Sequence, residues 1–216
     1  MIATTILHWT ERERFEESFR RSGPLRHNLA HVHRRRGSSR RGHPPADWLG
    51  GTITDRRLEE ALRHLHPPPV TKLWYGGASV LGALRGLSPE VAAWRPYPDR
   101  HSIWALALHV AYWNYAVRRR ITGEERGGFP RGPSNFPGVP PQTTKAAWKE
   151  DRRLVKAQHE LLVEALTDFD PSRLDEFAGS ETQTTYADLI TGIVLHDTYH
   201  AGQIVMLKRL AASRGL

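Results

Sequence analysis

The residues of this chain that could do chemistry are three of its 12 histidines. His196 and His200 stand four residues apart in the segment HDTYH, and in an α-helix this spacing places both imidazoles on one face, one turn apart. His109 lies in a second segment, inside a stripe of apolar residues that recurs with helical spacing. The pair falls in an apolar stripe as well, so the pattern predicts three imidazoles directed into the interior.

Three buried imidazoles indicate a site for a divalent metal ion. Burial removes water from each ring and leaves its nitrogen atoms in need of partners, and a cation can bind all three. Three neutral ligands leave at least one coordination position open, which is typical of catalytic sites. A cation there can lower the pKa of a bound water or thiol and polarise a carbonyl. Zinc, nickel, copper and iron all accept imidazole ligands, so the residue types do not identify the metal.

Two other interpretations fit the same residues. In the first, the three rings form a polar core that water satisfies without a metal. In the second, HDTYH is a variant of the HExxH helix of zinc proteases, with Asp197 in the glutamate position. The protease interpretation fails because the 16 residues after His200 contain no His, Asp or Glu that could act as a third ligand. A third ligand must come from upstream, which fits His109.

The remaining histidines give weaker signals. His27 and His31 have the same four-residue spacing, but the neighbouring arginines would repel a cation and no apolar face supports the pair. His159 lies at the edge of an apolar stripe, and we expect it to be exposed or half-buried rather than a ligand.

Several side chains near the predicted ligands could assist them. Asp197 is a candidate catalytic base or a partner of a ligand, although a solvated helix carboxylate fits the same position. Gln203 falls in line with the histidine pair and could hydrogen-bond a metal-bound water, although ordinary packing between helices is the alternative. Tyr199 points away from the centre of the stripe, and we expect it to pack. Trp104 and Trp113 have the spacing of core or pocket-wall residues.

Composition limits the class of protein. The chain has no cysteine, so disulfides, thiolate metal ligands and a cysteine nucleophile are excluded. No apolar run approaches the roughly 18 residues of a membrane-spanning helix, and the N-terminus lacks the apolar region of a signal peptide, so we expect a cytoplasmic protein. The formal net charge is +8, and much of it comes from HRRRGSSRRGHPP at 33–45. Without interleaved aromatic residues this run predicts a flexible basic extension over 1–54 rather than a nucleic-acid surface.

The elements that must position the histidines are helices. Helical spacing predicts four main segments at 78–93, 102–121, 143–166 and 185–212, and short helices at 11–21 and 55–66. Ser88 and Ser102 are candidate N-caps, and Pro89 suits the first helical position. A 20-residue loop rich in proline and glycine, 123–142, separates the second and third main helices. No segment alternates like a strand, so the fold expected for 55–216 is an all-α four-helix bundle.

Two segments match a known family. HSIWALALHVAYWN at 101–114 and HDTYHAGQIVMLKR at 196–209 resemble the DinB-like family of bacterial metal-binding four-helix bundles, and the similarity covers about 72–212. The resemblance implies an up-up-down-down bundle and a homodimer. It also implies zinc, nickel or iron bound by His109, His196 and His200.

The resemblance also implies a range of functions. Some relatives are similar to thiol-dependent transferases and isomerases that use a low-molecular-weight thiol. We therefore expect a metal-dependent enzyme that acts on a small molecule, by S-transferase or hydrolase chemistry, with substrate entering beside the 122–142 loop. Because the chain has no cysteine, any thiolate would arrive with the cosubstrate. The alternative is a non-catalytic metal-binding or stress-response bundle protein.

Overall fold

A computed structural model describes residues 55–67, 79–125, 127–180 and 183–216 of the chain. The regular elements in these ranges are six α-helices and one short 3₁₀ helix, Pro171–Arg173, and no helix there is long and apolar enough to cross a membrane. The α-helices are α1 (Arg56–Leu65), α2 (Val80–Ala83), α3 (Pro89–Ala93), α4 (Ile103–Thr122), α5 (Lys145–Thr167) and α6 (Tyr186–Ala212). The predicted extension 1–54 and the predicted helix 11–21 lie outside the described residues.

Side-chain caps fix where the long helices begin. The hydroxyl of Ser102 accepts a hydrogen bond from the backbone N–H of Ala105 at the start of α4, and Thr144 caps α5 in the same way. At the start of α6, Thr185 and Asp188 form a reciprocal capping box. The predicted bounds of these three helices are therefore confirmed to within one or two residues.

The helix predicted over 78–93 is wrong, because the chain forms two short helices there. The turn after α2 contains Gly86 at φ +69, a left-handed backbone conformation that ends the helix. Ser88 then caps α3, whose first residue is Pro89, as expected from the sequence. Pro89 could not continue a helix from α2, since its ring removes the backbone N–H that a helix interior needs.

Helices α4 and α5 run parallel, and α6 runs antiparallel to both. In the first halves of α4 and α5, the indole N–H of Trp104 donates to a carboxylate oxygen of Asp151 at 2.8 Å. Toward their C-terminal ends, Ile121 and Leu166 share an apolar cluster with Ile190 from the first half of α6. The long connection between α4 and α5 returns the chain to the starting end of the bundle, which makes the parallel arrangement possible.

Helix α1 is the fourth helix of the bundle, and two contacts give its direction. Arg57, at its start, pairs with Asp175 just before α6, at 2.7 Å, and the ring of His66, just past its end, lies 5.9 Å from the ring of His159 in the middle of α5. Helix α1 is therefore antiparallel to α5 and parallel to α6. The all-α bundle is confirmed, but the directions of its helices in chain order are up-down-down-up, which differs from the expected up-up-down-down.

Two apolar clusters fill the bundle, with buried polar residues between them. The first cluster contains Trp104, Trp148 and Ile204, and the second contains Leu62, Leu162 and many others. Along α4, α5 and α6, the residues between the two clusters include five buried polar side chains: Asn114, Gln158, His159, Asp197 and His200. Buried polar groups therefore separate the two apolar clusters, at the level of the histidines on α6.

A buried ion pair fastens the loop that follows α4. The side chain of Asp151 on α5 is only 1% exposed, and one of its oxygens accepts two hydrogen bonds from Arg131 of the loop, at 2.6 and 2.9 Å. Its other oxygen accepts the Trp104 indole N–H. Because both carboxylate oxygens have partners, the burial of this charge is compensated.

We predict that Asp151→Ala lowers the free energy of unfolding by about 2–4 kcal/mol, because it leaves the buried Trp104 N–H unpaired and Arg131 without its carboxylate. Urea denaturation measures the change. Glu150→Ala is the matched control, since the neighbouring Glu150 side chain is 74% exposed and should change stability by less than about 0.5 kcal/mol. Equal losses in the two variants would contradict this role of the buried carboxylate.

Candidate metal centre

His109 from α4 and His196 and His200 from α6 come together inside the bundle. One ring nitrogen of each lies within 4.8 Å of the others, and the Nε2 atoms of His109 and His196 are 3.1 Å apart. His109 and His200 are buried, and His196 is half-buried. The antiparallel contact of α4 with α6 is what brings the separate histidine to the pair.

Hydrogen bonds to the Nδ1 atoms assign the tautomers of the three rings. The Nδ1 atom of His109 lies 2.6 Å from the backbone carbonyl oxygen of Asn135, and that of His200 lies 2.7 Å from Oε1 of Gln203. The Nδ1 atom of His196 lies 3.3 Å from a carboxylate oxygen of Asp197. The carbonyl oxygens of Asn135 and Gln203 can only accept, so Nδ1 of His109 and of His200 carries the proton and Nε2 of each presents a lone pair. An ionised Asp197 favours the same tautomer for His196.

The cluster of three imidazole rings suits a cation between them. A direct hydrogen bond between two Nε2 atoms would require one ring to be protonated. Burial opposes a positive charge on His109 and His200, because it lowers the pKa of His109 to about 3 and that of His200 to about 4, with repulsion from the neighbouring histidines adding to the effect. Two nitrogens bound to one zinc ion at about 2.0–2.1 Å would lie roughly 3.3 Å apart in a tetrahedral site, close to the observed 3.1 Å.

The loop between α4 and α5 covers His109. The ring of Phe136 stacks on the imidazole with centroids 4.0 Å apart, and Asn135 receives a second hydrogen bond on its side-chain oxygen from the Trp113 indole N–H, at 2.9 Å. Asn135 adopts φ +70, a left-handed conformation that asparagine tolerates better than most residues. Sequence reasoning missed Asn135 and Phe136, because only the length of the loop marked this segment as special.

Asp197 and Gln203 each contact a predicted ligand. Asp197 is only 5% exposed, so it is not a solvated helix carboxylate, and burial raises its pKa while the hydrogen bond with His196 opposes that rise. Its second oxygen has no hydrogen-bond partner among the described residues. The side-chain oxygen of Gln203 is hydrogen-bonded to Nδ1 of His200. Gln203 therefore contacts a predicted ligand directly, rather than a water bound to the metal.

Tyr199 and His159 do not take the positions expected for them. Tyr199 was expected to pack, but it is 64% exposed, and its hydroxyl oxygen accepts a hydrogen bond from the amide of Gln203 at 3.0 Å. His159 was expected to be exposed or half-buried, but it is 4% exposed, and the ring of His66, just past the end of α1, lies 5.9 Å from its own. It does not join the three-histidine cluster, and its Nδ1 has no partner among the described residues. The pair His27 and His31 lies outside those residues.

The chain was compared with known protein families, curated proteins and solved structures. A family model described as the DinB superfamily matches residues 76–204, more than half of the chain, and this range contains all three histidines. No curated protein and no solved structure matches the chain significantly.

Because burial lowers the pKa of His159 to about 4, we predict that this residue destabilises the fold as the pH falls. Between about pH 6.5 and 4 the unfolded chain binds a proton at this histidine that the folded chain does not, so the free energy of unfolding decreases with decreasing pH. His159→Leu should therefore lose about 1–2 kcal/mol less stability than the wild type between pH 7.5 and 5, measured by urea denaturation.

The exposed His64 supplies the control for this measurement. His64→Leu should leave the dependence of stability on pH unchanged. If His159→Leu lost as much stability as the wild type on acidification, the residue would not be held neutral by burial.

Proposed function

Because the chain belongs to the DinB superfamily, we propose that it binds one divalent metal ion through His109, His196 and His200 and acts on a small molecule at that site. The observation that carries the proposal is the cluster of three imidazoles in which one ring nitrogen of each lies within 4.8 Å of the others, with a hydrogen-bond partner at each Nδ1. A metal ion satisfies all three at once, whereas a hydrogen bond between two of them needs a proton that burial disfavours. Zinc, nickel and iron each suit three imidazole ligands.

The chain's own residues orient the ligands before any metal binds. Asn135, Asp197 and Gln203 each accept a hydrogen bond from Nδ1 of a ligand histidine, which fixes the tautomer and the ring plane. A bound metal ion would supply a Lewis acid that makes a water or a thiol more acidic and polarises a carbonyl. Asp197 faces Nδ1 of His196, so we assign it the positioning of that ring.

The half-buried position of His196 favours an enzyme over a closed structural site. A structural zinc site is normally enclosed by four protein ligands, whereas the described part of this chain brings three together. The remaining position would be available to a substrate, by S-transferase or hydrolase chemistry. For a transferase, a low-molecular-weight thiol must supply the sulfur, since the chain contains no cysteine.

We predict about one equivalent of zinc, nickel or iron in the purified wild-type protein, measured by elemental mass spectrometry. His196→Ala should lose it, because two imidazoles bind a divalent ion much more weakly than three. His159→Ala should retain it, since that buried histidine lies outside the cluster. The metal should also dissociate on acidification, because protons compete for the same nitrogen atoms.

Two outcomes would contradict the metal site. One is a wild type that contains no metal even after incubation with each of the three ions. The other is equal metal loss in His159→Ala and His196→Ala, since a general loss of structure would then explain both. If metal binds, assays with thiol cosubstrates distinguish a transferase from a non-catalytic metal-binding protein.

We also predict that Gln203→Leu weakens metal binding about 10- to 100-fold, because it removes the oxygen that orients His200. Competition with a chromophoric chelator measures the affinity. Gln203→Glu keeps an oxygen at this position and should retain most of the affinity. Thr198→Ala, an exposed substitution on the same helix, should have no effect, and a loss there as large as in Gln203→Leu would refute a specific contribution of Gln203.

A further inference from the structure

We propose that the natural ligand of the three-histidine site is uncharged and carries an aromatic or similarly flat apolar group, which lies against Trp113 and Tyr199. This inference rests on the proposed metal site and adds the chemical class of the molecule that enters it. Two independent features carry it: the absence of charge on the segments that form the site, and the aromatic side chains around the three imidazoles.

The three segments that meet at the site are almost free of charged side chains. Residues 101–117, which include most of α4, contain no Asp, Glu, Lys or Arg, and neither does the loop segment 132–142. In α6, Asp197 is the only charged residue between Leu189 and Leu207, and it is buried. Within these segments an anionic ligand would find no lysine or arginine to bind it.

The nearest arginine along the loop is already engaged. Arg131 donates two hydrogen bonds to the buried carboxylate of Asp151 and lies 3.7 Å from the carboxylate of Glu150. Recognition of a carboxylate or phosphate usually depends on an arginine fork or a lysine that is free to pair with it. Releasing Arg131 for a ligand would leave the Asp151 charge buried without its partner, which is strongly unfavourable.

Aromatic side chains contact the imidazoles where charged groups are missing. The Trp113 ring lies 6.0 Å from that of His196, and the Tyr199 ring lies 5.1 Å from that of His200. Trp113 is half-buried, and Tyr199 and the nearby Leu195 are each 64% exposed. Exposed apolar surface beside a polar site is typical of ligand-binding surfaces, where aromatic rings supply contact area with little loss of conformational entropy.

The polar atoms of both rings already have partners within the protein. The Trp113 indole N–H donates to Asn135, and the Tyr199 hydroxyl accepts from Gln203. What remains for a ligand is mainly the ring surface, held in place by these hydrogen bonds. Such surfaces select flat apolar groups through stacking and burial, which together favour an aromatic ligand over a small anion by about tenfold or more.

Two thiols with the same donor atom and different tails test this selectivity. Titration calorimetry on the zinc-loaded full-length chain would compare 2-phenylethanethiol with 3-mercaptopropionate, and zinc content would be measured before and after each titration. We expect the aromatic thiol to bind at least about tenfold more tightly. Because the chain has no cysteine, disulfide exchange with the protein does not complicate the measurement.

Substitutions at the exposed Tyr199 test whether its ring is the source of the selectivity, and they do not disturb the core. Tyr199→Ala should reduce the preference to within about threefold, whereas Tyr199→Phe keeps the ring and should preserve it. Phe177→Ala, which removes a 60% exposed aromatic ring at the opposite end of the bundle near the start of α6, should also preserve it.

The possible results of these titrations distinguish a failure of this inference from a failure of the proposed function. If zinc stays bound and the anionic thiol binds as tightly as the aromatic thiol or more tightly, the inference of an uncharged aromatic ligand is wrong. The metal site would not be affected by that result. A preference that survives Tyr199→Ala would overturn the assigned surface. A wild type that does not retain zinc would overturn the proposed function, and the inference with it.

Discussion

Three imidazole rings meet inside the helical bundle, and this meeting constrains how the helices around them pack. Each Nδ1 is tied to an oxygen of the protein, so His109, His196 and His200 cannot relieve their mutual repulsion by changing tautomer. Helices α4 and α6 pack closely at this level, where the three rings meet. The buried polar residues between the two apolar clusters show that the interior accepts groups that an ordinary bundle core would exclude.

The loop after α4 belongs to the site as much as the helices do. Arg131 fastens it to Asp151 in the body of the bundle, and four residues later Asn135 contacts both His109 and Trp113. A loop without such anchors would give His109 a poorly defined hydrogen-bond acceptor, because conformational entropy favours many loop arrangements. The buried ion pair thus contributes to the geometry of the site through the backbone that it fixes.

The charge distribution separates the site from the rest of the surface. The chain as a whole is basic, yet the segments that form the site carry one buried carboxylate and no lysine or arginine. In such surroundings a bound metal ion would be the dominant local charge, and its interactions would be weakly screened. The basic composition therefore says little about what the site binds.

The local elements of this protein can be predicted from its sequence alone. Capping residues and apolar periodicity fixed α4, α5 and α6 to within one or two residues, and spacing alone predicted the pair His196 and His200. It also singled out His109, because a histidine within an apolar stripe is visible along one helix. The order of helix directions, the burial of His159 and the placement of Asn135 against His109 depend on the tertiary structure. Periodicity reports which face of a helix is buried, whereas the partner of that face depends on long-range packing, which no local pattern encodes.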